Sequence, residues 1–215
     1  TWALDQAEIL RDLDRFATLD AADCLAAGAR PAMFETRFGM PPRSDREDRA
    51  STERPLELVF GGTTYKFKGK IDRIDEVGEA EARVIDYKTG RKSGKPNTFA
   101  GGTALQLPIY ILAAEMLRPN RRAVGAEYAF ATERGGFSSV GFTREALDAR
   151  MNDLERIIVT AEQCIQNGIF IATPHKDRCR YCDFKDVCGA NQDVIFERKK
   201  DDPAIAGLLE MAQIE

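Results

Sequence analysis

The sequence contains no apolar run approaching the roughly 18 residues that would suggest a membrane span, so nothing in it points to a membrane partner. No charged, apolar and then small-residue leader follows Thr1, which argues against a secretory signal, and because Thr1 is not an initiator methionine the chain reads as a piece of something longer. It lacks the basic balance of a free-standing DNA binder, since its net charge is −4. It also lacks an even cysteine framework: the five cysteines are Cys24, Cys164, Cys179, Cys182 and Cys188, and three of them crowd into ten residues. That pattern suggests a metal or cluster site in a reducing, cytoplasmic setting more than disulfides. Internal repeats and low-complexity tracts are absent. There is one histidine, His175, beside the three clustered cysteines.

The remaining composition is that of a soluble globular chain. Its 215 residues can bury a substantial core, enough for one domain with a small appended module. The acidic balance is uneven, because residues 61–100 hold nine Lys/Arg against six Asp/Glu. A local groove for phosphates is therefore compatible with the overall charge.

Leu4, Ile9, Leu10, Leu13 and Phe16 recur at helical spacing, and the small residues from Thr18 to Arg30 are interrupted at Gly28, so one or two amphipathic helices are expected. Phe34 to Phe38 alternates loosely, and the charge-dominated run Arg43 to Arg54 reads as an exposed loop. From Leu56 the period becomes two. Leu56 to Phe60, Tyr65 to Asp75 and Ala82 to Lys88 are expected as a three-stranded meander turning at Gly61-Gly62 and around Gly78. A Gly-, Lys- and Pro-rich loop over 91–103 precedes a helix from Leu105 to Leu117. Two more strands, Ala123 to Thr132 and Phe137 to Phe142, lead to a long helix capped by Thr143 that runs to about Asn167-Gly168. The expected fold class is α/β, with a mixed central sheet flanked by helices. The expected organisation is a helical and loop segment over 1–55, a core over 56–173 and a Cys-rich segment with a tail over 174–215.

Alternation puts Asp86 and Lys88 on one face at the end of a strand, with Val84 one step earlier, and Asp72 on the neighbouring strand can supply a second carboxylate. Carboxylates hold a hard cation, while an adjacent lysine can position water and offset transition-state charge. An acid and a lysine two residues apart are more often a surface ion pair. The order of three segments changes that balance: Gly69-Lys70-Ile71-Asp72-Arg73-Ile74-Asp75, then Val84-Ile85-Asp86-Tyr87-Lys88-Thr89-Gly90, then Gln106-Leu107-Pro108-Ile109-Tyr110.

Together these segments resemble the nuclease domain of the RecB-like branch of PD-(D/E)xK nucleases, particularly AddB-type helicase-nuclease subunits, over roughly residues 56–190. The resemblance implies a restriction-endonuclease-like core and a DNA exonuclease using Mg2+ or Mn2+. It implies Asp72 and Asp86 as metal ligands and Lys88 as the catalytic lysine. Gln106 and Tyr110 complete the catalytic set, and their i, i+4 spacing puts them on one helical face. The partners implied are DNA and a helicase domain or subunit. Asp75, three residues beyond Asp72, faces the other way and is expected to pair with Arg73 or a neighbour. Glu35 is a weaker candidate acid.

Cys179-x2-Cys182-x5-Cys188 suits zinc or an iron–sulfur cluster. The same spacing in iron–sulfur RecB-like nucleases implies a [4Fe-4S] cluster whose fourth cysteine lies upstream. Cys24 is the only cysteine before the catalytic core, and the fourth ligand is expected to be missing from this piece. A Cys3His zinc site using His175 remains open. Two other readings stay in play: a catalytically silent DNA-binding or docking module, and a structural metal module for partner binding.

Overall fold

A computed structural model describes residues 2–41, 50–173, 179–189 and 191–215. The chain divides into two compact units, the first formed by 1–98 with 104–151 and the second by 99–103 with 152–215. His175, Pro174 and the run Arg43 to Arg49 lie outside the described residues.

The first unit is built on a five-stranded mixed sheet, as the expected α/β class requires. Its strands are β1 (Ala29–Phe38), β4 (Gly69–Val77), β5 (Glu81–Lys88), β6 (Arg122–Phe130) and β7 (Ser139–Thr143), in that spatial order. A separate two-stranded sheet pairs β2 (Leu56–Phe60) with β3 (Thr63–Phe67). β5 and β6 are parallel and are connected through α2 (Gln106–Leu117); every other neighbouring pair is antiparallel. A parallel pair needs such a crossover, and a helix of strong formers between two strands supplies it.

The expected meander is corrected in one respect. The long strand from Tyr65 to Asp75 breaks at Lys68: its first half stays with β2, and its second half becomes β4 between β1 and β5. The cause is steric. Gly39, at φ +68°, and Gly69 allow the end of β1 to lie against this junction, and a Cβ at Gly69 would come within 2.8 Å of the Phe38 ring. Phe38 itself is fully buried.

The N-terminal segment forms one helix, α1 (Trp2–Ala27), ended by Gly28 at φ +58°. Ala29 and Arg30, expected within the helical region, instead open β1, the edge strand whose irregularity between Pro31 and Met33 hides its alternation. The helix capped by Thr143, whose Oγ1 accepts from Ala146 N, is interrupted at Arg150 into α3 (Arg144–Ala149) and α4 (Met151–Gln166).

Side-chain parity gives the sheet two different faces. Odd-numbered Arg73, Arg83 and Tyr87 meet α1, through Asp20, Asp23 and an edge-on contact between Phe16 and Tyr87. Even-numbered Asp86 meets α2 through Gln106, and Glu76 meets Arg118 just past its C-terminal end. Ile71, Ile74, Val84, Ile111 and Leu147 are fully buried, and each such side chain contributes about 1.5–3 kcal/mol by leaving water.

The α1 face also holds a buried ionic cluster. Arg73 donates to Asp75 from Nε at 2.5 Å and from Nη2 at 2.7 Å, and Asp75 is fully buried. Thus the expected Arg73–Asp75 pair is present. Arg73 also donates to Asp20 and to the Tyr87 hydroxyl, and Arg83 Nε donates to Asp75 at 3.0 Å. Burial works against the charge of Arg73, but its carboxylate partners outweigh that and hold it ionised above its ordinary range.

In the second unit, α4 is followed by α5 (Lys185–Cys188), α6 (Gln192–Lys199) and α7 (Ala206–Ala212). Gly101 N donates to Ile214 O at 2.8 Å, tying the 99–103 segment to the chain end.

Removing one member of a buried ion pair strands the other. Arg73→Ala is expected to lower the unfolding free energy by about 3 kcal/mol, the low end for such a loss because Arg83 still reaches Asp75. Urea denaturation measures it, and an unchanged midpoint would mean that the cluster does not hold α1 to the sheet.

Candidate active site

β5 delivers Asp86 and Lys88 to the same face, and the Lys88 ammonium donates to the Asp86 carboxylate. Asp86 is only 3% exposed, whereas the Lys88 side chain is 38% exposed, so the acid sits beneath a partly open lysine. Parallel pairing sets Tyr128 of β6 beside Asp86, and the Lys88 ammonium lies 4.8 Å from the Tyr128 ring centroid.

Asp72 reaches the site through an opening in the sheet. The ladder between β4 and β5 ends at Arg73 and Ile85, one step short of an Asp72–Asp86 pair. The Tyr87 N–H is therefore free of a main-chain partner on β4 and donates to Asp72 Oδ2 at 3.0 Å. That bond fixes one oxygen of Asp72 beside the main chain that carries Asp86.

α2 completes the arrangement from above. Gln106 Nε2 donates to Asp86 Oδ1 at 2.8 Å and lies 3.2 Å from the Tyr110 hydroxyl, which donates to the Lys70 carbonyl at 2.6 Å. Gln106 and Tyr110 therefore share a helical face, and both reach the acid-bearing strands. The three sequence segments converge, bringing together Asp72, Asp86, Lys88, Gln106 and Tyr110. Glu35, at φ +55°, falls opposite Asp72 in the β1–β4 register, between Phe34 and Thr36, and is in an ion pair with Lys70.

Burial raises the proton affinity of Asp86, and the neighbouring charge of Asp72 adds to the rise; Lys88 and Gln106 oppose it without cancelling it. Tyr110 and Tyr128 are also raised, first by burial and then by facing Asp86. The interior here resists negative charge, which is the setting in which a cation becomes favourable. Two carboxylates are fewer than a complete cage. Among the described residues no group of three or more His, Cys, Asp or Glu is arranged to hold a metal ion. The donor set suits a hard cation that keeps several waters and takes only one or two protein carboxylates, as Mg2+ does.

Sequence reasoning missed Tyr87, whose N–H positions Asp72 although its side chain points to α1, and Tyr128, which only the β5–β6 register reveals. Of the cysteines, Cys179, Cys182 and Cys188 line one cavity of about 170 Å3 with Lys185 and Gln192. All five cysteines are free, and Cys24 lies 3.2 Å from Arg73 Nη2 and 3.4 Å from Arg83 Nη2.

The chain belongs to the PD-(D/E)XK nuclease superfamily, whose profile matches residues 4–189. Within it, the similarity is to the RecB-like, AddB type. An ATP-dependent helicase/deoxyribonuclease subunit of Carboxydothermus hydrogenoformans is 26% identical over 82% of this chain and 23% of its own length. The same-named protein of Symbiobacterium thermophilum is 39% identical over 46% of this chain and 9% of its own. A Clostridium perfringens counterpart is 44% identical over 26% of this chain and 5% of its own. The chain thus spans less than a quarter of the length of these relatives. Among the described residues, no helix is long and apolar enough to cross a membrane.

The raised proton affinity of Asp86 has a measurable sign. The folded chain holds this proton more tightly than the unfolded chain, so between the two pKa values stability falls as pH rises. Asp86→Asn removes that penalty. The metal-free variant should melt above the parent at pH 7, with the difference shrinking as pH drops from the raised pKa of Asp86 toward the ordinary carboxyl value. A variant that melts below the parent at pH 7 by an amount independent of pH would contradict the assignment.

Proposed function

We propose that this chain is the nuclease domain of an AddB-like helicase-nuclease and hydrolyses DNA phosphodiester bonds with Mg2+ or Mn2+ held by Asp72 and Asp86. One observation carries the reading: two carboxylates from adjacent strands meet a lysine and a glutamine at the opening of the sheet, where burial makes uncompensated negative charge unfavourable. When bound, the cation supplies Lewis-acid chemistry to a phosphoryl oxygen and to water.

The chain's own residues do the rest. Lys88 is at once tied to Asp86 and partly exposed, so its ammonium can orient the attacking water and offset charge on the phosphoryl oxygens as the P–O bond to the leaving oxygen breaks. Gln106 holds one oxygen of Asp86, leaving the carboxylate oriented rather than free to rotate. Tyr110, anchored on the Lys70 carbonyl, positions Gln106 and offers a ring edge to DNA.

The wider setting belongs to the same proposal. The action is exonucleolytic, in the cytoplasm, beside a helicase domain or subunit that feeds DNA to the site, in repair or recombination. This reading is supported by the relatives' description as helicase/deoxyribonuclease subunits. The cavity lined by Cys179, Cys182 and Cys188 would bind a [4Fe-4S] cluster, and its donor chemistry fits: three thiols share one space, leaving a fourth ligand to come from elsewhere.

Lys88→Ala tests the reading. It should lower Mg2+-dependent cleavage of end-labelled linear DNA by at least about 100-fold, the size of a lost acid–base or charge-stabilising group, with metal affinity largely retained. Asp86→Ala should weaken both rate and metal affinity. If Lys88→Ala cleaves at the parent's rate, Lys88 is an ordinary strand-end lysine. If the parent binds DNA without cleaving it, the chain is a silent DNA-binding module.

A further inference from the structure

The segment that leaves the site after Lys88 is unlike the rest of this acidic chain. From Tyr87 to Ala114 there is no Asp or Glu, and within it the exposed loop 89–98 carries Arg91, Lys92 and Lys95. Among the described residues these three cations have no carboxylate partner, in contrast to Arg73, Arg83, Arg118 and Arg144, which all do. Cations usually find acids on a surface this rich in them, so an acid-free loop is available for another source of negative charge.

The loop is also held in place. At its start, the Lys88 carbonyl accepts from Ala131 N at 3.0 Å and the Thr89 carbonyl accepts from Thr132 Oγ1 at 3.2 Å. At its end, Asn97 N donates to Gly141 O at 3.0 Å, and Asn97 Oδ1 accepts from Thr143 N at 2.8 Å. The Asn97 carbonyl accepts from Arg150 at 2.7 Å. Its start is thus fastened to the chain just past β6 and its end to β7 and to Arg150 between α3 and α4, leaving residues 91–95 as an exposed bow immediately beyond Lys88. Gly94, at φ +91°, supplies a backbone conformation that other residues rarely adopt.

We infer that the 89–98 loop is a phosphate clamp, in which Arg91, Lys92 and Lys95 grip the DNA backbone on the side of the scissile phosphate reached directly from Lys88. This rests on the nuclease reading and adds to it a one-sided path for the strand. A backbone held there needs no base contacts, so the clamp acts on any sequence. It also accounts for DNA binding by a chain of net charge −4: the cations that matter are concentrated in one short anchored loop.

The test is the salt dependence of binding. Binding of a labelled oligodeoxynucleotide to the whole chain in EDTA would be measured by anisotropy at several salt concentrations. Each phosphate contact contributes about 0.9 to the log–log slope on duplex DNA and about 0.7 on a single strand. The triple variant Arg91→Ala, Lys92→Ala, Lys95→Ala should lose about 2 to 3 from that slope. In cleavage, its KM should rise by about tenfold or more while kcat at saturating DNA stays near the parent's, as expected when uniform binding is removed. Arg122→Ala, at the other end of the sheet, should keep the parent's slope. A triple variant with the parent's slope, or one with reduced kcat and unchanged KM, overturns the clamp. A parent that binds DNA with the expected slope but never cleaves it would leave the clamp standing and remove the nuclease reading.

Discussion

The geometry of the site depends on where the β4–β5 ladder stops. Regular pairing carried one step further would have satisfied the Tyr87 N–H with a main-chain carbonyl. Because the ladder ends at Arg73 and Ile85, that N–H takes the Asp72 carboxylate instead. A side chain thereby does the work of a backbone acceptor, and its position becomes as well defined as a strand position. Asp86 arrives on the adjacent strand, buried, with one oxygen on Lys88 and the other on Gln106. The site is preorganised by the sheet and not by a loop.

The two faces of the sheet divide the labour. On the α1 face, buried Arg73 bridges Asp75, Asp20 and Tyr87, so the residues immediately next to Asp72 and Asp86 in sequence are the ones that fasten a helix behind the site. On the α2 face, the polar residues answer to Asp86 and Tyr110 instead. Alternation is what permits this: neighbouring residues in each strand serve opposite faces, one structural and one chemical. The raised proton affinity of Asp86 is the cost of that burial, since the carboxylate is held where water is scarce.

Much of this was legible in the sequence because period and motif agree. The period-two run around Asp86 and Lys88 gave the strand and its face, and the spacing of Gln106 and Tyr110 gave the helical side. Parity alone separated Asp75 from Asp72. Other features depend on tertiary contacts that leave no local trace. The break at Lys68 follows from Phe38 lying against Gly69, some thirty residues away in the chain, and β1 was obscured by Pro31 and by the positive φ of Glu35. Tyr128 could be placed beside Asp86 only once the parallel β5–β6 register was known. The N–H that Tyr87 gives to Asp72 is a backbone bond, to which the residue type contributes nothing.

The central claim, that Asp72 and Asp86 jointly hold a cation, is tested most directly by metal binding without DNA. Titration of the parent with Mn2+, followed by electron paramagnetic resonance, should reveal binding at this site that Asp72→Asn and Asp86→Asn each weaken by about tenfold or more, the size of a lost charged ligand interaction of about 1.4 kcal/mol or more. The double variant should be little worse than either single one, because both remove the same site. Equal Mn2+ affinity in the parent and both single variants would contradict the account.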